Sequence, residues 1–146
     1  MADIDATTTA GYRGVDVLPI IIDNTPPGTT TVDVPASCPN VKLAIGDTTI
    51  ITAVFDEASS RPTFYAFGAK VSVANVVSST GALSGFHTTW NATVTTPSGW
   101  MGGAIMPWIV TNAEDDVGNV DATLYSNYES ADTTVATSTN PNCTVD

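Results

Sequence analysis

Basic side chains are scarce: 4 Lys and Arg stand against 15 Asp and Glu, for a formal net charge of −11. Phosphate backbones are bound by clustered Lys and Arg, so this balance argues against nucleic acid as a partner. The same deficit argues against an anionic membrane surface. Histidine occurs once, at His87, in "GFHTTW", which reads as the start of a strand rather than the seat of a general base. There is no nucleophile elbow and no glycine-rich phosphate loop between a strand and a helix. A pair of carboxylates, as glycoside hydrolysis needs, is available in almost any acidic protein and carries little weight. The chain is therefore read as non-enzymatic. No apolar run is long enough to span a bilayer, so direct membrane insertion is not expected. A secretory leader is also missing, but "MADIDATTT" reads as a start residue ahead of a mature or excised segment, which is compatible with export.

Cysteine is nearly absent as well. Cys38 and Cys143 lie near opposite ends of the chain. A disulfide and an oxidising compartment are one expectation; two separate buried thiols, or a bond to a neighbouring molecule, are the others. Two cysteines and a distant histidine do not make a zinc site.

What is present reads as β structure. Threonine and valine are abundant, glycine and proline recur between apolar segments, and no stretch sustains a 3.6-residue apolar period. Short alternating segments appear at 15–22, 29–34, 48–55, 69–77, 86–94, 104–111 and 120–125, with a weaker one at 133–137. That spacing predicts an all-β fold, a two-sheet sandwich of about 7–8 antiparallel strands, with almost no helix. In "TTIITAVF" the alternation places Ile51, Ala53 and Phe55 inward. Both faces of "AIMPWIVT" are apolar, and Pro107 in its middle suggests an edge position or a bulge. Such a second apolar face is more natural if another chain covers it.

The first residues match the last ones. "IDATTTAGYRGVD" lies over "VDATLYSNYESAD", pairing Asp5 with Asp121, Ala6 with Ala122, Thr7 with Thr123, Tyr12 with Tyr128 and Asp16 with Asp132. Read as a repeat, residues 1–24 are the terminal strand and linker of one unit and 25–146 form the next, a whole sandwich. "VDVLPIII" would then be a strand without its own sheet, and its apolar, β-branched residues would need a partner. Val15, Val17, Ile20 and Ile22 are the candidate assembly residues of this extra N-terminal strand.

Two stretches resemble a known family. "IDNTPPGTTTVDVPA" followed by "GDTTIITAVFDEA" is similar to the opening of bacterial-type immunoglobulin-like repeats, and "WNATVTTPSGWMGGAIMPWIVTNAEDDVGNVDATL" to their closing half, where a strand ends in Asp-x-x-Gly-Asn, here Asp115, Gly118 and Asn119. The resemblance covers roughly residues 20–125 and departs from the pattern at Thr111, where an apolar residue is usual, and after Tyr125. It implies an immunoglobulin-like β-sandwich and a place among tandem modules of adhesins, stalks and coats, at the cell surface or outside it. It implies no catalysis.

In an immunoglobulin-type sandwich the chain enters at the pole carrying the loop before the last strand, so "IDNTPP" and "AEDDVGN" are expected to converge. Asp23, Asn24, Glu114, Asp115, Asp116 and Asn119 form the candidate metal set, and calcium, which takes six to eight oxygen ligands, is the cation such a set suits. The plainer alternative is a solvated turn, with Gly118 and Asn119 chosen for positive φ. Trp90, Trp100 and Trp108, with Tyr65 and Phe67, raise a sugar-binding alternative, and Trp100 in "SGWMGG" is the best exposed platform. The leading expectation is an extracellular structural module, a stalk link or a fibre subunit joined head to tail to copies of itself or to neighbouring repeats by donation of residues 15–22, with calcium at the junction. The competing expectation is a polysaccharide-binding, adhesive module.

Overall fold

The longest strand, β2 (Thr48–Ser59), carries the alternation furthest. Ile51, Ala53 and Phe55 are buried on its inner face, as the period of two predicts. The computed structural model describes residues 22–35, 38, 42–127, 133–135 and 143–146, with backbone alone for 133–135. The other strands are β1 (Thr29–Asp33), β3 (Thr63–Ala66), β4 (Ala69–Lys70), β5 (Val76–Ser78), β6 (His87–Thr95), β7 (Trp108–Thr111), β8 (Ala113–Glu114), β9 (Val120–Asp121), β10 (Leu124–Ser126) and β11 (Thr133–Val135). Among the described residues the only helical piece is a 3-10 turn, Val73–Asn75, so none is long or apolar enough to cross a membrane.

One sheet has the order β1-β2-β6-β5, the other β11-β10-β7-β3-β4, and β8 and β9 form a small ribbon. Val32, Ile51, Ala53, Phe55, Trp90 and Ala92 from the first sheet share one apolar core with Phe64, Ala66, Trp108 and Val110 from the second. The fold is an all-β sandwich, its inner faces interdigitating across that core.

Several sequence expectations are corrected. The run 69–77 is not one strand: β4 belongs to the second sheet and β5 to the first, and the 3-10 turn carries the chain between them. The segment 104–111 is strand only from Trp108, because Pro107 has no N–H for the ladder. β7 is not an edge strand; it pairs with β3 on one side and β10 on the other. Its phase is now fixed: Met106, Trp108 and Val110 are buried, whereas Ile105 is exposed and Ile109 half-buried on the outer face. Thr111 tolerates burial because its Oγ1 donates to the Ala122 carbonyl at 3.3 Å. Of the segment expected at 133–137, the described part, β11, does not pair antiparallel; it runs parallel to β10.

Cys38 and Cys143 form a disulfide within the chain, 105 residues apart in sequence. That pairing settles which of the three cysteine alternatives holds. Closing a loop of that size is worth about 4–5 kcal/mol in the chain-entropy account.

The two ends of β2 define two poles. At the Ser59 end, Ser60 N–H donates to the Glu114 carbonyl at 2.7 Å, which puts the β8–β9 ribbon there. At the Thr48 end, Asp146 N–H donates to the Leu43 carbonyl at 2.8 Å, and Gly46 N–H to the Thr96 carbonyl at 2.9 Å. The chain comes into β1 at the first pole and Cys143–Asp146 lie at the second. Twelve strand residues separate the poles, about 40 Å along β2.

Candidate acidic site at the entry pole

The ribbon that carries the acidic corner is a tight hairpin. Asp115 N–H donates to the Asn119 carbonyl at 3.0 Å, and Gly118 occupies φ +94°, a conformation that glycine adopts without strain. Asp115 holds the turn together from inside. Its Oδ1 accepts the N–H groups of Val117 at 2.9 Å and Asn119 at 2.8 Å, and its Oδ2 accepts Asn119 Nδ2 at 2.6 Å. Burial works to raise this carboxyl, but the hydrogen bonds from Asn119, Val117 and Gly118 outweigh it and hold it below the usual aspartate range.

The incoming chain is tied to the same hairpin. Asn119 Nδ2 also donates to the Asp23 carbonyl at 3.2 Å, and Asp23 Oδ1 accepts Thr25 N–H at 3.0 Å in a local turn. The Asp23 and Asp115 side chains thereby meet, and Glu57 from β2 joins them: oxygens of the three carboxylates lie within 4.8 Å of one another. Desolvation, then the charges of Asp23, Asp115, Asp56 and Asp116, push the Glu57 carboxyl above its ordinary value. Three carboxylates so close repel one another unless a proton or a cation is shared among them.

Of the six residues expected to hold a cation, Asp23 and Asp115 lie in this cluster and Asn119 bonds to both. Asn24, Glu114 and Asp116 are exposed, and the Glu114 and Asp116 carboxylates lie outside the group of mutually close oxygens. Glu57 was not foreseen, although a signal existed. Continuing the alternation of Ile51, Ala53 and Phe55 by one more step places Glu57 on the same face of β2, at the pole.

The remaining candidates disperse. Trp90 and Trp108 are core residues; Trp90 Nε1 donates to the Ser59 carbonyl at 3.1 Å. Trp100 is half-buried and meets Phe67 edge to face, with ring centroids 5.1 Å apart. Tyr65 is half-buried on β3. His87 opens β6, its ring edge-on to Trp90 and its Nε2 3.0 Å from the Ser84 carbonyl. Of the assembly residues, Ile22 is exposed, while Val15, Val17 and Ile20 lie outside the described residues.

No family model, no curated protein and no solved structure matches this chain. The likeness to bacterial immunoglobulin-like repeats therefore rests on the quoted residues alone.

Proposed function

We propose that this protein is a non-enzymatic structural unit of an extracellular or cell-surface assembly, joined head to tail to copies of itself. The observation that carries this reading is the placement of the poles: the chain comes into the sandwich at the Glu57–Glu114 end and its last residues lie at the Leu43–Gly103 end. A link in a series needs its two connections on opposite faces, and a heterologous contact between such faces builds an open filament. The donor is the apolar, β-branched segment Val15–Ile22. Added to a neighbouring sheet, it gains main-chain hydrogen bonds and apolar burial at once. The in-chain disulfide agrees with an oxidising compartment. The half-buried Ile109 and Leu124 give the outer face of the second sheet apolar area for a neighbour to cover.

Calcium at the entry pole is a secondary part of the reading. Asp23, Glu57 and Asp115 supply carboxylate oxygens of the hard type that the ion takes, and Asp23 belongs to the incoming linker. A cation there fixes the angle at which one unit meets the next.

The test is a comparison of the full chain with a form lacking residues 1–22, by negative-stain microscopy. The full chain is expected to form filaments or short end-to-end rods, and the shortened form to stay folded and monomeric. Rods built equally well by the shortened form contradict strand donation.

A further inference from the structure

We propose that Trp100 is the platform of a binding site for a neutral hexose oligosaccharide. The indole is half-buried and forms the common wall of two open clefts of about 380 and 340 Å³. Each falls within the usual size of a small-molecule site. Because both clefts border this one ring, the ligand they fit is extended, several sugar units long, with the indole as the contact its units share.

The ring is held in place at a conformational cost. β3 and β4 are joined by a two-residue turn, Phe67-Gly68, with φ of +52° and +75°. A turn with positive φ at both central positions ordinarily takes Asn-Gly, and a bulky residue at the first of them is an outlier. Left-handed backbone is sterically unfavourable for an L-residue. What Phe67 provides in return is its ring, buried and packed at 63° against Trp100. An indole supported in this way presents a face of fixed orientation, as stacking on a pyranose ring needs.

The rim supplies the matching chemistry. Ser72, Asn75, Thr93 and Ser98 surround the larger cleft with exposed hydroxyl and amide groups, and Lys70 adds one ammonium. Sugar hydroxyls both donate and accept, so such neutral groups serve them. No Asp or Glu lines either cleft, in a chain that has 15 of them. A polyuronate is disfavoured even so, because the field of a molecule with net charge −11 repels polyanions and one lysine does not reverse it.

The experiment is isothermal calorimetry of the full chain with cellohexaose, mannohexaose and laminarihexaose, and with hexagalacturonate as the anionic arm. At least one neutral hexamer is expected to bind with Kd below about 1 mM. Trp100→Ala is expected to weaken that binding at least about tenfold, a loss in the range of one stacked aromatic ring. Asn75→Ala and Lys70→Gln, both at exposed positions, should each weaken it about threefold without moving the melting temperature. Binding of none of the neutral hexamers, tighter binding of hexagalacturonate, or unchanged affinity in both rim variants overturns the proposal. The site uses neither residues 15–22 nor the acidic cluster, and calorimetry reads sugar binding whereas microscopy reads assembly, so failure of one is distinguishable from failure of the other.

Discussion

Glu57 shows how a single side chain departs from its surroundings. It continues the inner face of β2, but at the pole, where three carboxylates come within 4.8 Å. Its pKa is raised by desolvation and by the neighbouring acids, so the folded state binds the proton more tightly than the unfolded chain does. The sign follows: stability is lost as pH rises through the raised Glu57 value. Asp115 behaves oppositely, since a lowered carboxyl contributes stability above the unfolded value and loses it as pH falls through the folded one. Glu57→Gln is accordingly expected to raise the melting temperature at pH 7 in chelator, and to flatten its pH dependence on the acid side of neutrality. Millimolar calcium should raise the melting temperature of the parent protein and leave Glu57→Gln nearly unmoved. Scanning calorimetry across that pH range, with and without the ion, measures both. Equal calcium response in parent and variant removes the cation from the proposed junction.

At the scale of elements, the pattern of two was easiest to see where a strand had one buried face. β1, β2 and β6 were legible for that reason. β3 was not, because four residues with two aromatics offer too few alternations to stand out from a turn. The stretch 69–77 misled, since its alternation continues across a passage from one sheet to the other. Pro107 was rightly seen to interrupt pairing, but it does so just outside a strand that is paired on both sides. The acidic hairpin was legible as a glycine turn at the pole, whereas the arrival of Glu57 depends on how far β2 extends, which 48–55 alone did not reveal. The hairpin also yields a test. Gly118→Ala forces an L-residue to φ +94° and is expected to cost about 1–2 kcal/mol, read as a shift of the denaturant midpoint. Because the β8–β9 ribbon stands apart from both main sheets, the loss should appear first as faster amide exchange at 113–121. Uniform exchange throughout the sandwich would show that the ribbon has no local stability of its own.

On the scale of the whole molecule, two features bear on assembly: a covalent tie at one pole and a chain entry at the other. The disulfide joins the segment after β1 to the last strand-like residues, where Met106 N–H donates to the Cys143 carbonyl at 2.9 Å and Val145 is fully buried. Reducing it, or replacing both cysteines by serine, is expected to lower stability by about 4–5 kcal/mol in a denaturant titration. A change under about 1 kcal/mol would mean that the unfolded chain gains little freedom when the bond is cut. The sequence signalled the possibility of that bond but not its partner, because spacing alone cannot tell a bond within the chain from one between chains. The central claim, that Val15–Ile22 pairs with a different molecule, is tested most directly by placing a photoreactive residue at Val17 and irradiating an equal mixture of ¹⁵N-labelled and unlabelled chains. Heavy-to-light crosslinks between position 17 and the sandwich of another copy are predicted, in abundance comparable to the same-isotope pairs. Crosslinks confined to single chains, with no mixed-isotope species, contradict it.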